Sequence, residues 1–276
     1  MARKPLKFLG ETVAVVLAVI VFIIPFYYIL INSFKDTRES AALNLNWPSS
    51  FHIIENYAEV FQARDYMIVR AFFNSTVITL VSIAILALIG AMAGFVLQRR
   101  KNKPLAVVNF LFMAGLMIPP AVVPTIWVLD NIGLFKTMLG LIMVEAAINI
   151  PFTIMLYMGF VASIPREIDE AAVVDGANGW WYFFRIIFPI LKPVTSTVII
   201  LNAVNIFNDF VNPLYFLPGA KNATVQLTLY NFMSMYNTSY NLLFADVILI
   251  TIPPFILFLL FNKRIVAGMT AGAVKG

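Results

Sequence analysis

Uncharged runs long enough to cross a bilayer core, about 20 residues each, recur along this chain and constrain its fold more than any other feature. Thr12 to Phe34 alone is 23 residues without a charge. In hydrocarbon every backbone N–H and C=O must find its partner within the protein, so such a run folds as a helix. A closed barrel would instead show short alternating segments, and the sequence has none. The expected fold class is an all-α polytopic membrane protein. Composition agrees: 12% of the 276 residues are charged, against about 25% in a soluble domain. Arg3, Lys4 and Lys7 precede the first run as they would in a secretion signal. That run is too long for a signal core and lacks a small-residue cleavage site, so it reads as the first membrane helix.

Six spans fit the pattern, at about Thr12–Asn32, within Ala71–Leu97, Leu105–Leu129, Met138–Phe160, Val194–Phe216 and Asn241–Phe261. Glu145, Asp209 and Asp246 interrupt the last three. The expected organisation is a cytoplasmic N-terminus over 1–11, a six-helix domain over 12–262 and a tail over 263–276, with a core from about 71 containing a loop at 163–193. With the N-terminus inside, 13 of the 19 Lys and Arg residues fall on inner segments, and the turn Arg99-Arg100-Lys101-Asn102-Lys103 is the clearest single vote. The positive-inside bias therefore puts both termini in the cytoplasm. The Arg99–Lys103 turn itself reads as a topology anchor. The basic balance is a matter of sidedness, and nothing points to nucleic acid. With no cysteine and one histidine, His52, the chain offers neither disulfides nor a metal-ligand set.

One inner loop, EAAVVDGANGWWYFFRIIFPILKP, Glu170 to Pro193, is built unlike a simple turn. Ser163 is placed to cap a helix that Pro165 opens. Glu167, Asp169 and Glu170 fall early, where the helix dipole favours acids. Ile164, Ile168 and Ala171/Ala172 recur on one face. Gly176 supplies a reversal that a Cβ would resist. Asn178 can cap a second helix with Trp180, Trp181, Phe184 and Phe188 on its apolar side, and Pro189 and Pro193 end it. The spacing predicts a short transverse helix, a glycine joint and an aromatic foot, a shape suited to a groove on another protein.

At these residues the chain resembles the membrane-spanning subunits of binding-protein-dependent ABC importers. Their signature is E-A-A, three residues, G, nine residues, I-x-L-P. Glu170, Ala171, Ala172, Gly176, Ile186 and Pro189 fall in register, with Phe188 where leucine is usual. A second triplet, Glu145-Ala146-Ala147, has Pro151 at the glycine position and fails the test. The tail Arg264 to Gly276 and the stretch FNDFVNPLYFL, Phe207 to Leu217, are similar to permeases of the maltose and multiple-sugar type. The resemblance implies a type I importer permease fold. It also implies a second homologous permease, a homodimeric cytoplasmic ATPase that binds ATP and Mg, and an extracytoplasmic sugar-binding protein. It carries the coupling role onto Arg166, Ile168, Glu170, Ala171, Ala172, Asp175 and Gly176, and a tail contact with the ATPase onto Gly268, Gly272 and Lys275. The sequence has no G-x-x-x-x-G-K-[ST] loop for nucleotide phosphates, so no cofactor is expected in this chain and ATP hydrolysis belongs to a partner.

Ionisable groups inside spans face a cavity or a partner. Asn205, Asn208, Asp209 and Asn212 recur at i, i+3, i+4 and i+7 and are expected on one helical face. They read either as a translocation-path lining for sugar hydroxyls or as interhelical hydrogen bonds. Glu145 and Asp246 lean further from a path lining, towards packing or near-interface polar groups. Pro119, Pro120 and Pro124 break the third span. In the outer loop 217–240, Tyr230, Phe232, Tyr236 and Tyr240 suit a membrane-interface belt, a binding-protein contact or sugar stacking. Two other functions would leave different marks in the sequence. An ion-coupled carrier would use Asp209 or Glu145 as its coupling acid, but carriers usually show internal repeats and none is evident. An intramembrane enzyme would need a motif such as H-E-x-x-H or G-x-S-x-G; neither occurs, and no catalytic residue is expected.

Overall fold

The computed structural model describes residues 3–233 and 238–273, with side chains from 10 to 233 and 238 to 261. All regular structure among them is helical. The first apolar run is α1 (Arg3–Ala18), a π-helical turn (Val19–Ile23) and α2 (Ile24–Asn32). Pro25 explains the wide turn: it has no N–H and its ring crowds the carbonyl four residues back, and one π turn relieves both. A short α3 (Thr37–Ser40) leads into α4 (Ile53–Arg99), which is broken at Ala63–Tyr66 by non-helical backbone. Then come α5 (Lys103–Gly115), α6 (Val122–Asn131) and α7 (Met138–Val161). The expected third span is therefore two short helices. The chain leaves helix at 116–121, around Pro119 and Pro120.

Beyond α7 lie α8 (Glu167–Val174) and α9 (Gly179–Tyr182), a second π turn (Phe183–Ile187) and α10 (Phe188–Ile190). The fifth apolar run is α11 (Lys192–Phe207) and α12 (Val211–Phe216). After α13 (Val225–Thr228), the last helix is α14 (Tyr240–Ala273). Among the described residues four helical stretches, Gly10–Asn32, Ile53–Arg99, Met138–Val161 and Tyr240–Phe261, are each long and apolar enough to span a membrane, the second of them carrying the break at Ala63–Tyr66. A fifth forms if Gly179–Ile190 and Lys192–Phe207, bent by 74°, count together. In place of the expected third span, the described residues contain a shorter apolar helix, Lys103–Gly115, followed by α6.

The chain divides into two compact units, Met1–Ala71 with Val225–Ile252, and Phe72–Thr224 with Pro253–Gly276. In the first, Lys35 is fully buried. Its ammonium donates to Asn32 Oδ1 (3.1 Å), Asn44 O (3.1 Å) and Asn44 Oδ1 (2.9 Å). Three donors meet three acceptors, which is what a buried ammonium needs. Asn56 donates to the carbonyls of Ser33 and Lys35 and accepts from Asn241 Nδ2 at 2.8 Å. Asp246, also buried, accepts from Thr228 Oγ1 at 2.8 Å.

The second unit has two apolar layers. One gathers Ile78 and Leu86 of α4, Leu129 of α6, Leu141 and Val144 of α7, and Ile206 and Phe216. The other gathers Ala91, Tyr157, Val161, Ile164, Phe183, Ile187, Leu191 and Val198. Between α4 and α7 the backbones come close, and small residues are what permits close approach in membrane helices. A Cβ on Gly94 would lie 2.6 Å from Tyr157 Cβ and 3.2 Å from the Met158 nitrogen. One on Gly90 would lie 2.5 Å from Thr153 Cγ2. Gly94→Leu forces the helices apart against backbone and is expected to destabilise by about 3 kcal/mol. The thermal unfolding midpoint of the purified chain in detergent should fall accordingly.

Candidate functional site

The loop after α7 folds into the predicted knuckle, with one local difference. Ser163 does not cap α8; its hydroxyl donates back to Phe160 O at 2.7 Å, and Arg166 holds the N-cap position without a side-chain bond. Three acids, Glu167, Asp169 and Glu170, occupy the first turn. Gly176 closes the helix at φ +73°. In that region only glycine is free of Cβ strain. There Gly176 N and Ala177 N bond back to the carbonyls of Val173 and Ala172. Asn178 then caps α9, its Oδ1 accepting from Trp181 N at 2.8 Å. The second π turn again precedes a proline, Pro189, and Pro193 opens α11 after the 74° bend.

The two faces of α8 differ sharply. Ile164 and Ala172 turn into the protein, Ala172 at 5% exposure, with Ile168 half-buried. Arg166, Glu170, Ala171, Asp175 and Gly176 are exposed, as are Val173 (75%) and Val174 (86%). Of the seven candidate coupling residues, five are therefore available to a partner. Ile168 and Ala172 seat the helix instead. Val173 and Val174, which the motif alone did not single out, present the largest apolar surface.

The seat is formed by the last turns of α4. Arg99 Nε lies 2.8 Å from Asp169 Oδ2, and its Nη2 donates to Ile164 O at 3.0 Å. The Tyr182 hydroxyl donates to Asp169 Oδ1. One turn before Arg99, the Phe95 ring meets Tyr182 edge-on at 6.0 Å and Phe183 at 5.8 Å. The Arg99 and Asp169 side chains are only 11% and 26% exposed. Arg99 thus differs from Arg100 and Lys101, which are exposed: it packs against the loop as well as standing in the basic turn. Arg99, Asp169, Ala172, Trp180 and Tyr182 also line a pocket of about 570 Å³. Sequence reasoning missed this clamp because its partners lie 70 and 83 positions from Arg99, and neither spacing carries a local signal.

A second polar cluster lies within the same unit. Glu145 of α7 is 2% exposed. Its Oε1 accepts from Asn212 Nδ2 at 3.1 Å. Asn149, one turn on, donates to Glu145 O at 2.9 Å and accepts from Asn205 Nδ2 at 2.9 Å. Below, Asn202 donates to Thr153 Oγ1 at 3.3 Å and Tyr157 to Thr195 Oγ1 at 3.0 Å. The expectation of one helical face for Asn205, Asn208, Asp209 and Asn212 fails. α11 ends at Phe207, Asn208 is its C-cap, and Asp209 Oδ1 accepts from Val211 N at 2.8 Å and Asn212 N at 3.3 Å to start α12. Asp209 competes locally for backbone donors, as Asp does wherever it initiates a helix. Asn205 and Asn212 each bond a residue of α7 instead, Asn149 and Glu145 respectively. Glu145, expected to be a packing or near-interface polar group, ties the α7 side of this cluster to α12.

Gly268 and Gly272 fall where only the backbone of α14 is described, and Lys275 lies outside the described residues, as does Tyr236. Of the other loop aromatics, Phe232 is buried while Tyr230 is exposed. Tyr240 stacks near Phe244.

Comparison with known proteins agrees with this architecture. Residues 86–270 match the family described as binding-protein-dependent transport system inner membrane component. The chain is 33% identical over 258 residues to the melibiose/raffinose/stachyose import permease protein MelC of Bacillus subtilis, covering 92% of this chain and 91% of that one. It is 31% identical over 271 residues to the probable starch degradation products transport system permease protein AmyC of Thermoanaerobacterium thermosulfurigenes, covering 98% and 97%. In fold it is similar to a chain of a bacterial ABC transporter involved in import of the polysaccharide alginate, with a TM-score of 0.80 and 17% identity over 94% of this chain and 97% of that one. With two-thirds of its length matched by the family and its EAA knuckle formed in three dimensions, the chain belongs to the inner membrane components of binding-protein-dependent transport systems.

Proposed function

We propose that this chain pairs with a second, homologous permease in an ATP-driven importer that carries a mono- or oligosaccharide across the bacterial or archaeal cytoplasmic membrane. The carbohydrate names of its relatives support the substrate class. The family description supports a separate binding protein that delivers the sugar. Both termini lie in the cytoplasm, by the distribution of Lys and Arg. ATP and Mg belong to a homodimeric ATPase into which α8 docks. The observation that carries this reading is the outward apolar tip of α8, Val173 and Val174, on a helix whose other face is already seated. A tip of that kind fits a complementary groove. Differential docking to open and closed ATPase dimers then shifts the permease between outward- and inward-facing states. The glycine-rich tail, with Gly268, Gly272 and Lys275, adds a second contact with the ATPase.

Asn205, Asn208, Asp209 and Asn212 line part of the sugar path, with Asn149 and Glu145 as newly identified members. Amides and carboxylates at this break in the fifth span match the hydroxyls of a sugar. Val174→Asp puts a charge at the centre of the docking tip without touching the seat. Desolvating that charge costs several kcal/mol. Copurification of the ATPase with affinity-tagged permease should fall by about 100-fold or more, with membrane insertion unchanged. Undiminished ATPase capture would overturn the docking role. An uptake assay with the ion gradient collapsed by ionophore should leave transport intact while ATP is supplied; the reverse result favours an ion-coupled carrier.

A further inference from the structure

We infer that Arg99 is a positioning residue for coupling: it fixes α8 to the cytoplasmic end of α4, so that the two move as one lever. The inference rests on the docking role of α8 proposed above, and adds which membrane helix receives the motion. Phe95 and Arg99 are four residues apart and so share one face at the end of α4. That face reaches the knuckle at several points. The guanidinium holds the lead-in to α8 through Ile164 O and α8 itself through Asp169. Asp169 is in turn held by Tyr182, and the Phe95 ring packs against Tyr182 and Phe183. The planar guanidinium reaches a carbonyl by a hydrogen bond from Nη2 and a carboxylate by an ion pair at Nε, two contacts that a lysine ammonium cannot make with the same fixed geometry. Partial burial of both charges keeps water from replacing the pair. Farther along, the same helix interlocks with α7 at Gly90 and Gly94. Rotation of α8 in its groove therefore passes into α4 and on to α7, beside the Glu145 and Asn149 cluster.

The test uses the assembled importer in proteoliposomes, with sister permease, ATPase and binding protein. The chain has no cysteine, so spin labels at Gln98→Cys, in the last turn of α4, and Glu167→Cys, exposed in the first turn of α8 and away from the docking tip, report the α4–α8 distance. The unaltered clamp should give one narrow distance distribution, the same with and without ATP. Arg99→Ala should broaden it and make it state-dependent. ATPase should still copurify and hydrolyse ATP, while sugar carried per ATP falls roughly tenfold, a typical size for a coupling free energy. Arg99→Lys should recover part of that ratio. If Arg99→Ala yields no folded protein, Asp169→Asn, which keeps an acceptor for Tyr182, is judged by the same criteria. A distance that changes with nucleotide in the unaltered clamp, or full sugar per ATP in the folded variant, overturns the lever. Failure of the unaltered chain to retain the ATPase at all refutes the docking role of α8 instead, so the two failures are distinct.

Discussion

Ala172→Asp is expected to abolish uptake while leaving the chain inserted in the membrane. Ala172 is the buried residue of the EAA triplet, on the inner face of α8 beside the Arg99–Asp169 pair. A carboxylate there has two outcomes, and both are harmful. Left unpaired, it carries a desolvation penalty of several kcal/mol. Paired with Arg99, it takes the guanidinium from Asp169 and leaves that acid with the Tyr182 hydroxyl but no counter-charge. Either way α8 leaves its seat. Uptake of labelled sugar into cells should fall by at least about 100-fold, the factor that 2.7 kcal/mol sets. Membrane fractionation should show normal amounts of the chain. Ala171→Asp, one position away on the exposed face, leaves the seat intact and acts only through the docking surface. Its spin-label distance across α4 and α8 should therefore stay normal. Uptake unchanged in Ala172→Asp would show that the seat is dispensable.

The second large effect is expected at Glu145. Replacing it by leucine removes the acceptor for Asn212 Nδ2. Stranding a polar group that is mostly withdrawn from water costs about 1–3 kcal/mol. It also frees α12 from α7 at the point where the fifth span is broken. Glu145→Leu should lower uptake about tenfold or more at saturating sugar. Glu145→Gln keeps an oxygen acceptor in the same place and should retain most activity. Equal losses in the two variants would mean that the charge matters rather than the acceptor. Asn149 is less exposed to this change, because its amide also bonds the main-chain carbonyl of residue 145.

Much of the knuckle was legible in the sequence because local rules dictate it. Acids in a first turn, a glycine in the left-handed region, an Asn cap and two prolines each act within a few residues, and each appears at its place. The apolar segments were legible for the same reason. Their interruptions were less so. Prolines marked the break in the third span, but the end of α11 at Phe207 depends on Asp209 capping α12, and that capping overrode the 3.6-residue period that predicted a shared face. The tertiary pairs were not legible. Arg99 with Asp169, Glu145 with Asn212 and Asn149 with Asn205 are joined across 56 to 70 positions, and a single sequence holds no signal for such partners. Lys35 makes the same point: a loop lysine by composition, it is fully buried because three oxygens surround it. The burial of Glu145 and its bond to Asn212 are likewise created only by packing.

The most direct measurement is sugar uptake by proteoliposomes assembled in two ways, with the chain alone and with the sister permease, ATPase and binding protein. Accumulation should require every component and internal-facing ATP, and should vanish with Val174→Asp. Accumulation by the chain alone under an ion gradient, without ATP, would contradict a permease that draws its power through α8.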